Sequence, residues 1–146
     1  MVSEGNDKKK PMELFFDTSA VVPLILAEPH SRRAIETWDQ ATRVWAWRWL
    51  QVEAEAALGR RRAEARAWRQ WRSVSSAMTW LDLEARMWPQ LCAFNRPLRL
   101  RAADAGHLYT YTGAASVVPN LKLVCFDTEM REAAKALGLD VIHHDS

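Results

Sequence analysis

No apolar run in this chain of 146 residues approaches the roughly 18 to 20 needed to cross a bilayer. The opening stretch, MVSEGNDKKKPM, also lacks the apolar core of a secretory leader. A cytoplasmic location is therefore the default expectation, with no membrane partner. Cysteine is scarce as well. Cys92 and Cys125 are far apart, show no metal-ligand spacing and sit in apolar surroundings, so neither a disulfide framework nor a thiolate zinc site is implied. Net charge is nearly absent, and +2 is too small to dictate a polyanionic partner, although residues 58–72, LGRRRAEARAWRQWR, hold six arginines against one glutamate.

What is present is the ordinary balance of a globular protein, 49% apolar and 26% charged, in a length that suits one domain. Residues 1–12 have no hydrophobic period and read either as a mobile tail or in part as a non-native addition; residues 13–146 read as a single domain.

The run LFF at 14–16 predicts a buried strand, followed by a helix around AVVPLILAE whose first turn should contain Pro23, where a missing N–H is harmless. EPHS breaks that helix. Residues 31–41 predict a short amphipathic helix with Ala34, Ile35 and Trp38 on one side. RVWAW predicts a second strand, and a long helical stretch runs from about 48 to 73, weakened midway by Gly59. Residues 80–94 read as helical again until NRP, and 100–115 form another helix. LKLVCF is a strand, TEMREAAKALG a helix closed by Gly138, and LDVIHH a last strand. Strands separated by helices imply parallel pairing with helices on both faces, hence a three-layer α/β fold, a mainly parallel central sheet with an irregular helical insertion.

Two stretches, LFFDTSA and LVCFDTE, end a strand on Phe-Asp-Thr, placing Asp17 and Asp127 at the carboxyl edge of the sheet, where ligands bind in open parallel folds. Each aspartate is also a good helix N-cap, which accounts for either one taken alone. Two more acids shift the balance. Glu53 has Trp49, Leu50, Ala56 and Ala57 at helical spacing, and Asp104 has Leu100, Arg101, His107 and Leu108, so both carboxylates fall on faces that should meet the core. Glu55 has more mixed neighbours and is the weaker candidate. Buried carboxylates that share a pocket need a cation. An all-oxygen set suits Mg²⁺ or Mn²⁺ and metal-assisted phosphodiester hydrolysis; His107 is compatible with zinc but more often such a residue packs or hydrogen-bonds.

The blocks FDTSAVVPLILAEP, VEAEAAL, LRAADAGHL and VCFDTEMREAAKALGLDVI resemble, in that order, the four acidic blocks of PIN-domain ribonucleases, particularly VapC-type toxins. The resemblance runs from Leu14 to Ile142. It implies a PIN-like fold and a metal-dependent endoribonuclease in which Asp17, Glu53, Asp104 and Asp127 surround Mg²⁺ or Mn²⁺, leaving 5′-phosphate and 3′-hydroxyl ends. It also implies a toxin that blocks translation, dimerises and is silenced by an antitoxin whose tail covers the acidic pocket. Thr18 and Ser19 either support Asp17 and bound water or cap the helix. Two departures stand out. Trp47 and Ala46 occupy places where many relatives carry a small hydroxyl residue, and Gly106 replaces a larger apolar residue, which predicts a locally looser helix.

Arg62, Arg66 and Arg69, at i, i+4 and i+7, are expected to form either a stripe for RNA phosphates or a solvated helix face. Trp68 and Trp71 beside them are candidates for base stacking or a protein contact, and most of the eight tryptophans are expected in the core. The apolar part of 45–80 is the expected interface region. A catalytically silent PIN-like module that binds RNA or protein is the alternative function. An aspartyl phosphatase fits less well, because Ser19 stands where its second aspartate belongs.

Overall fold

The computed structural model describes residues 10–142. Most of the expected tail, and His143 and His144 of the expected last strand, lie outside the described residues. Of residues 10–12, Met12 is tied to Thr42 by backbone and hydroxyl hydrogen bonds of 2.8–2.9 Å.

Strands β1 (Glu13–Phe16), β2 (Arg43–Trp47), β3 (Met78–Leu81) and β4 (Lys122–Val124) form one sheet in the order β3-β2-β1-β4, and every pairing is parallel. Leu14 lies opposite Val44 on one side and Lys122 on the other. Because side chains alternate along a strand, Leu14 and Phe16 enter one core while Phe15 enters the other. On the first face pack α1 (Thr18–Ile25), α2 (Ser31–Gln40), α3 (Trp49–Arg60) and α4 (Ala65–Ala77), through residues such as Val21, Leu24, Leu50, Leu58 and Trp71. On the second pack α5 (Trp88–Asn95), α6 (Ala102–Ala115) and α7 (Thr128–Ala136), through Leu91, Leu108, Tyr111 and Met130. A sheet covered on both faces needs strands that are apolar throughout, which explains LFF and LV at its centre. The three-layer α/β fold expected from the alternation of elements is the fold observed.

Chain direction explains where a site can form. From β1 the chain steps outward through β2 to β3 by way of helices on one face, then returns across the other face to β4 on the far side of β1. The switch point therefore lies between the carboxyl ends of β1 and β4. Asp17 N–H donates to Val124 O at 3.3 Å, extending that pairing by one residue to the edge.

Several local expectations are corrected. MTWL is β3, not part of a helix, and residues 85–87 form a single 3-10 turn before α5. This strand follows α4 without a loop, and four residues carry too little periodicity to tell strand from helix; pairing with β2 decides it. Pro23 lies in the second turn of α1, not the first. The helix there gives up the bond that the N–H of residue 23 would make, and the buried ring packs in exchange. On α2 Ala34 is buried and Trp38 packs on the core, but Ile35 is 47% exposed. The long helix breaks at 61–64, where Arg62 takes φ 51°. Gly138, with φ 72°, ends α7 in the left-handed conformation glycine favours. Among the described residues of the expected terminal strand there is one parallel bridge, Leu123 to Val141.

The two departures at the end of β2 and on α6 are one packing arrangement. A Cβ on Gly106 would lie 2.2 Å from the Trp47 ring, so the indole occupies the space that a side chain at 106 would need. The expected looseness of α6 is thereby corrected, since the volume missing at Gly106 is filled from β2. Gly106→Ala should destabilise the fold by about 1–3 kcal/mol through overpacking, against the roughly 1 kcal/mol gain of alanine over glycine in an open helix. Urea unfolding of Gly106→Ala, Trp47→Leu and the double variant tests this, with the second substitution expected to relieve the first.

Candidate active site

Four acids converge on the carboxyl edge, each positioned by a different element. Asp17 follows β1 and is only 2% exposed. Its Oδ1 accepts from Ser19 Oγ at 2.7 Å and its Oδ2 from the Cys125 thiol at 3.3 Å. It makes no side-chain cap to α1, so the capping reading does not describe Asp17. Ser19 also accepts from Phe126 N–H at 2.8 Å, so one hydroxyl joins the two Phe-Asp-Thr turns. Asp127, after β4, does cap its helix: Oδ2 accepts from Met130 N–H at 3.0 Å, while Oδ1 faces Arg101 Nη2 at 3.9 Å.

Glu53, on the second turn of α3, directs Oε1 at two donors. Thr18 Oγ1 and His107 Nε2 are each 2.6 Å away, and they lie 3.1 Å from each other. Asp104, in the first turn of α6, has an Oδ2 that is buried and accepts no hydrogen bond; Arg101 Nε, at 3.5 Å, is an ion-pair contact only. Carboxylate oxygens of Asp104, Asp127 and Glu129 all lie within 4.8 Å of one another. Asp17 and Glu53 fall outside that tight group, although the charge of Asp104 is felt at Asp17 and that of Glu53 at Asp104.

Residues 14–136 match the PIN domain family. The chain belongs to the PIN-domain family. Ribonuclease VapC35 of Mycobacterium tuberculosis, from either of two strains, is 31% identical over 132 residues, spanning 88% of this chain and 95% of the relative. Among solved structures, Mycobacterium tuberculosis VapC20, described as a sarcin-ricin loop cleaving toxin, superposes with a TM-score of 0.67 at 17% identity, covering 90% of this chain and 99% of the other. PAE2754 of Pyrobaculum aerophilum does so with a TM-score of 0.61 at 21% identity, covering 84% and 86%. These two establish the fold.

Electrostatically, the pocket of this PIN domain is under-neutralised. Burial, opposed by His107 and by the Ser19 and Cys125 hydrogen bonds, pushes Asp17 up to about 6. Burial and the neighbouring Asp127 charge raise Asp104 too, despite Arg101. Glu53 behaves differently: burial would raise it, but the hydrogen bond and charge of His107, with the Thr18 hydroxyl, outweigh burial and hold it below the usual range. Burial and Asp17 push the Cys125 thiol up, keeping it the donor to that carboxylate. Arg101 is the only cation paired with the four acids among the described lysines and arginines, and its side chain is 77% exposed.

Other expected participants are placed elsewhere. Glu55 is exposed and accepts from Trp71 Nε1 at 3.0 Å, away from the four acids. Arg62, Arg66 and Arg69 do not share one helix, because Arg62 sits in the turn between α3 and α4 while Arg66 and Arg69 are on α4. Trp71 is buried and Trp68, partly exposed, packs on the first core. The exposed tryptophans are Trp49 and Trp88, both beside Trp47 with centroids 6.2 and 6.3 Å away. Glu129 was not singled out by the sequence, because its helix position looks solvated; its one signal is proximity to Asp127.

A raised carboxyl pKa means that the fold binds that proton more tightly than the unfolded chain does. The contribution of Asp17 to metal-free stability therefore falls as pH rises from near 4 through about 6 and stays low above. A shift of about two units corresponds to roughly 3 kcal/mol at most. In chelator, Asp17→Asn should melt near wild type at pH 4 and several degrees above it at pH 7.5, at about 2–4 °C per kcal/mol. Thermal denaturation at the two pH values checks the sign.

Proposed function

We propose that this PIN domain is a metal-dependent endoribonuclease, the toxin of a toxin–antitoxin pair that inhibits translation by hydrolysing RNA phosphodiester bonds. The observation that carries the reading is Asp104 Oδ2, a buried carboxylate oxygen with no hydrogen-bond donor among the described residues and only the exposed Arg101 at 3.5 Å, close enough to Asp17, Glu53 and Asp127 for their charges to be felt. Burying such an oxygen unpaired is unfavourable, and several acids in one pocket add repulsion. The 31% identity to Ribonuclease VapC35 supports the reaction class.

Asp17, Glu53, Asp104 and Asp127 would hold the ion, and Glu129, whose carboxylate lies in the tight group with Asp104 and Asp127, is placed to join them. An all-carboxylate set fits a hard cation, Mg²⁺ or Mn²⁺, better than zinc. Bound there, such an ion supplies a more acidic water and neutralises charge on phosphate oxygens. The chain's own residues set the geometry. Ser19 and Cys125 fix Asp17, the α7 N-terminus fixes Asp127, and the covered sheet edge keeps water from the buried side of the pocket. Arg101, already beside two of the acids and exposed, is placed to meet a phosphate.

For the antitoxin, a groove of about 860 Å³ lined by none of the four acids runs between α1–α2 and the α3–α4 turn. Leu24, Ile35 and Ala67 line it alongside Arg61, Arg62 and Arg66, a combination that suits an amphipathic acidic segment. Exposed Trp49 and Val52 on α3 offer a second apolar face for a homodimer. RNA cleavage should require Mg²⁺ or Mn²⁺ and stop in chelator. Asp17→Asn and Asp104→Asn should each lower it by on the order of 100-fold or more, as expected for loss of one stabilising charge contact. New 5′ ends mapped in cells expressing each form check this. Full cleavage by either variant would sink the site, and RNA binding without cleavage by wild type would favour the silent module.

A further inference from the structure

We propose that His107 is a positioning residue that, together with Thr18, fixes the orientation of the Glu53 carboxylate toward the metal. The inference rests on the metal-dependent reading above and assigns a function to a side chain outside the four acids.

His107 is only 1% exposed, one helical turn beyond Asp104 on α6. Its Nε2 approaches Glu53 Oε1 at 2.6 Å and Thr18 Oγ1 at 3.1 Å. A carboxylate only accepts, so Nε2 carries the proton. The Thr18 hydroxyl donates to the same Oε1 at 2.6 Å, leaving its own lone pair to face the imidazole. Two donors from two elements, α1 and α6, thus converge on one oxygen. Among the described residues none hydrogen-bonds Oε2, the oxygen left for a cation.

A histidine serving only as core filler would be expected to satisfy both ring nitrogens. Here Nδ1 is buried and meets no partner among the described residues, so the ring is placed for what Nε2 does. The ring is also immobilised. Trp47 stands edge-on to it, with centroids 5.1 Å apart and an interplanar angle of 84°, and that indole is itself locked into the space beside Gly106. The bulky residue at the end of β2 and the missing side chain on α6 together brace the imidazole. Outer groups that orient a metal-binding carboxylate typically contribute 10- to 100-fold in metal affinity.

The test compares amides that differ only in reach. A glutamine amide nitrogen extends to the place of Nε2, whereas an asparagine nitrogen extends only to that of Nδ1. Mn²⁺ binding by calorimetry, with melting in chelator as a control for folding, should show His107→Gln within about threefold of wild type. His107→Asn and His107→Leu should bind about tenfold more weakly or worse. Asparagine or leucine variants that bind Mn²⁺ like wild type, or a folded glutamine variant as weak as asparagine, would overturn the proposal. Should His107→Leu fail to fold, the Gln and Asn pair decides. Asp104→Asn separates the two levels: if it abolishes Mn²⁺ binding while every His107 variant keeps it, the positioning role alone fails. Should wild type itself bind no Mn²⁺, both readings fall.

Discussion

The burial of the Asp17 carboxylate at the switch point of a parallel sheet is the constraint around which this molecule is organised. A carboxylate so far from water is tolerated only if donors surround it, and each donor comes from a different part of the chain. Ser19 supplies one from the first turn of α1, and Cys125 supplies another from the end of β4. The same serine oxygen accepts from Phe126, so the two β–α turns are held as one unit. That linkage holds Asp127 at the same edge of the sheet as Asp17. The donors only partly offset burial, which is why Asp17 still titrates near 6. The fold retains an unmet demand for positive charge at the place where its topology would put a ligand.

Capping and metal binding are not rival explanations once the oxygens are considered separately. Asp127 uses Oδ2 to hold the first turn of α7 and keeps Oδ1 toward the pocket. Glu53 gives Oε1 to Thr18 and His107. Asp104 has an oxygen that accepts nothing. A carboxylate has about four lone-pair directions, so one residue can be both anchored by the fold and available to a cation. Anchoring also reduces the freedom lost when the ion binds, which makes such a pocket more preorganised than four free side chains would be.

The layers and the site were legible in the sequence to different depths. Asp17 and Asp127 were visible because strands that end in an acid before a helix have a one-dimensional signature, and Gly138 because a left-handed C-terminus favours glycine. Strand β3 was not, since four residues following a helix directly carry no period of their own and are defined by their partner, β2. The spacing of Arg62, Arg66 and Arg69 misleads for a related reason: a helical period cannot run across residues 62–69 when the backbone turns at Arg62. Trp47 and Gly106 each looked like a departure. Only in three dimensions, where one ring fills the other's missing side chain, do they become a single exchange of volume between β2 and α6. The partners of His107 belong to the same class, because Glu53 and Thr18 lie 54 and 89 residues away in the chain.

That exchange of volume also bears on why the departures leave the site intact. A small residue at the end of β2 would leave room beside α6, and α6 carries both Asp104 and His107. With tryptophan there instead, the helix face at 106 must be bare, and the two requirements constrain each other through a contact that tolerates no added carbon. The ring that satisfies them presses edge-on against His107 and reaches toward Trp49 and Trp88 at the surface. Substitutions at the end of β2 are therefore felt in the Glu53 hydrogen bonds as well as in core packing. In this domain the geometry of the acids depends on a well-packed indole as much as on the acids themselves.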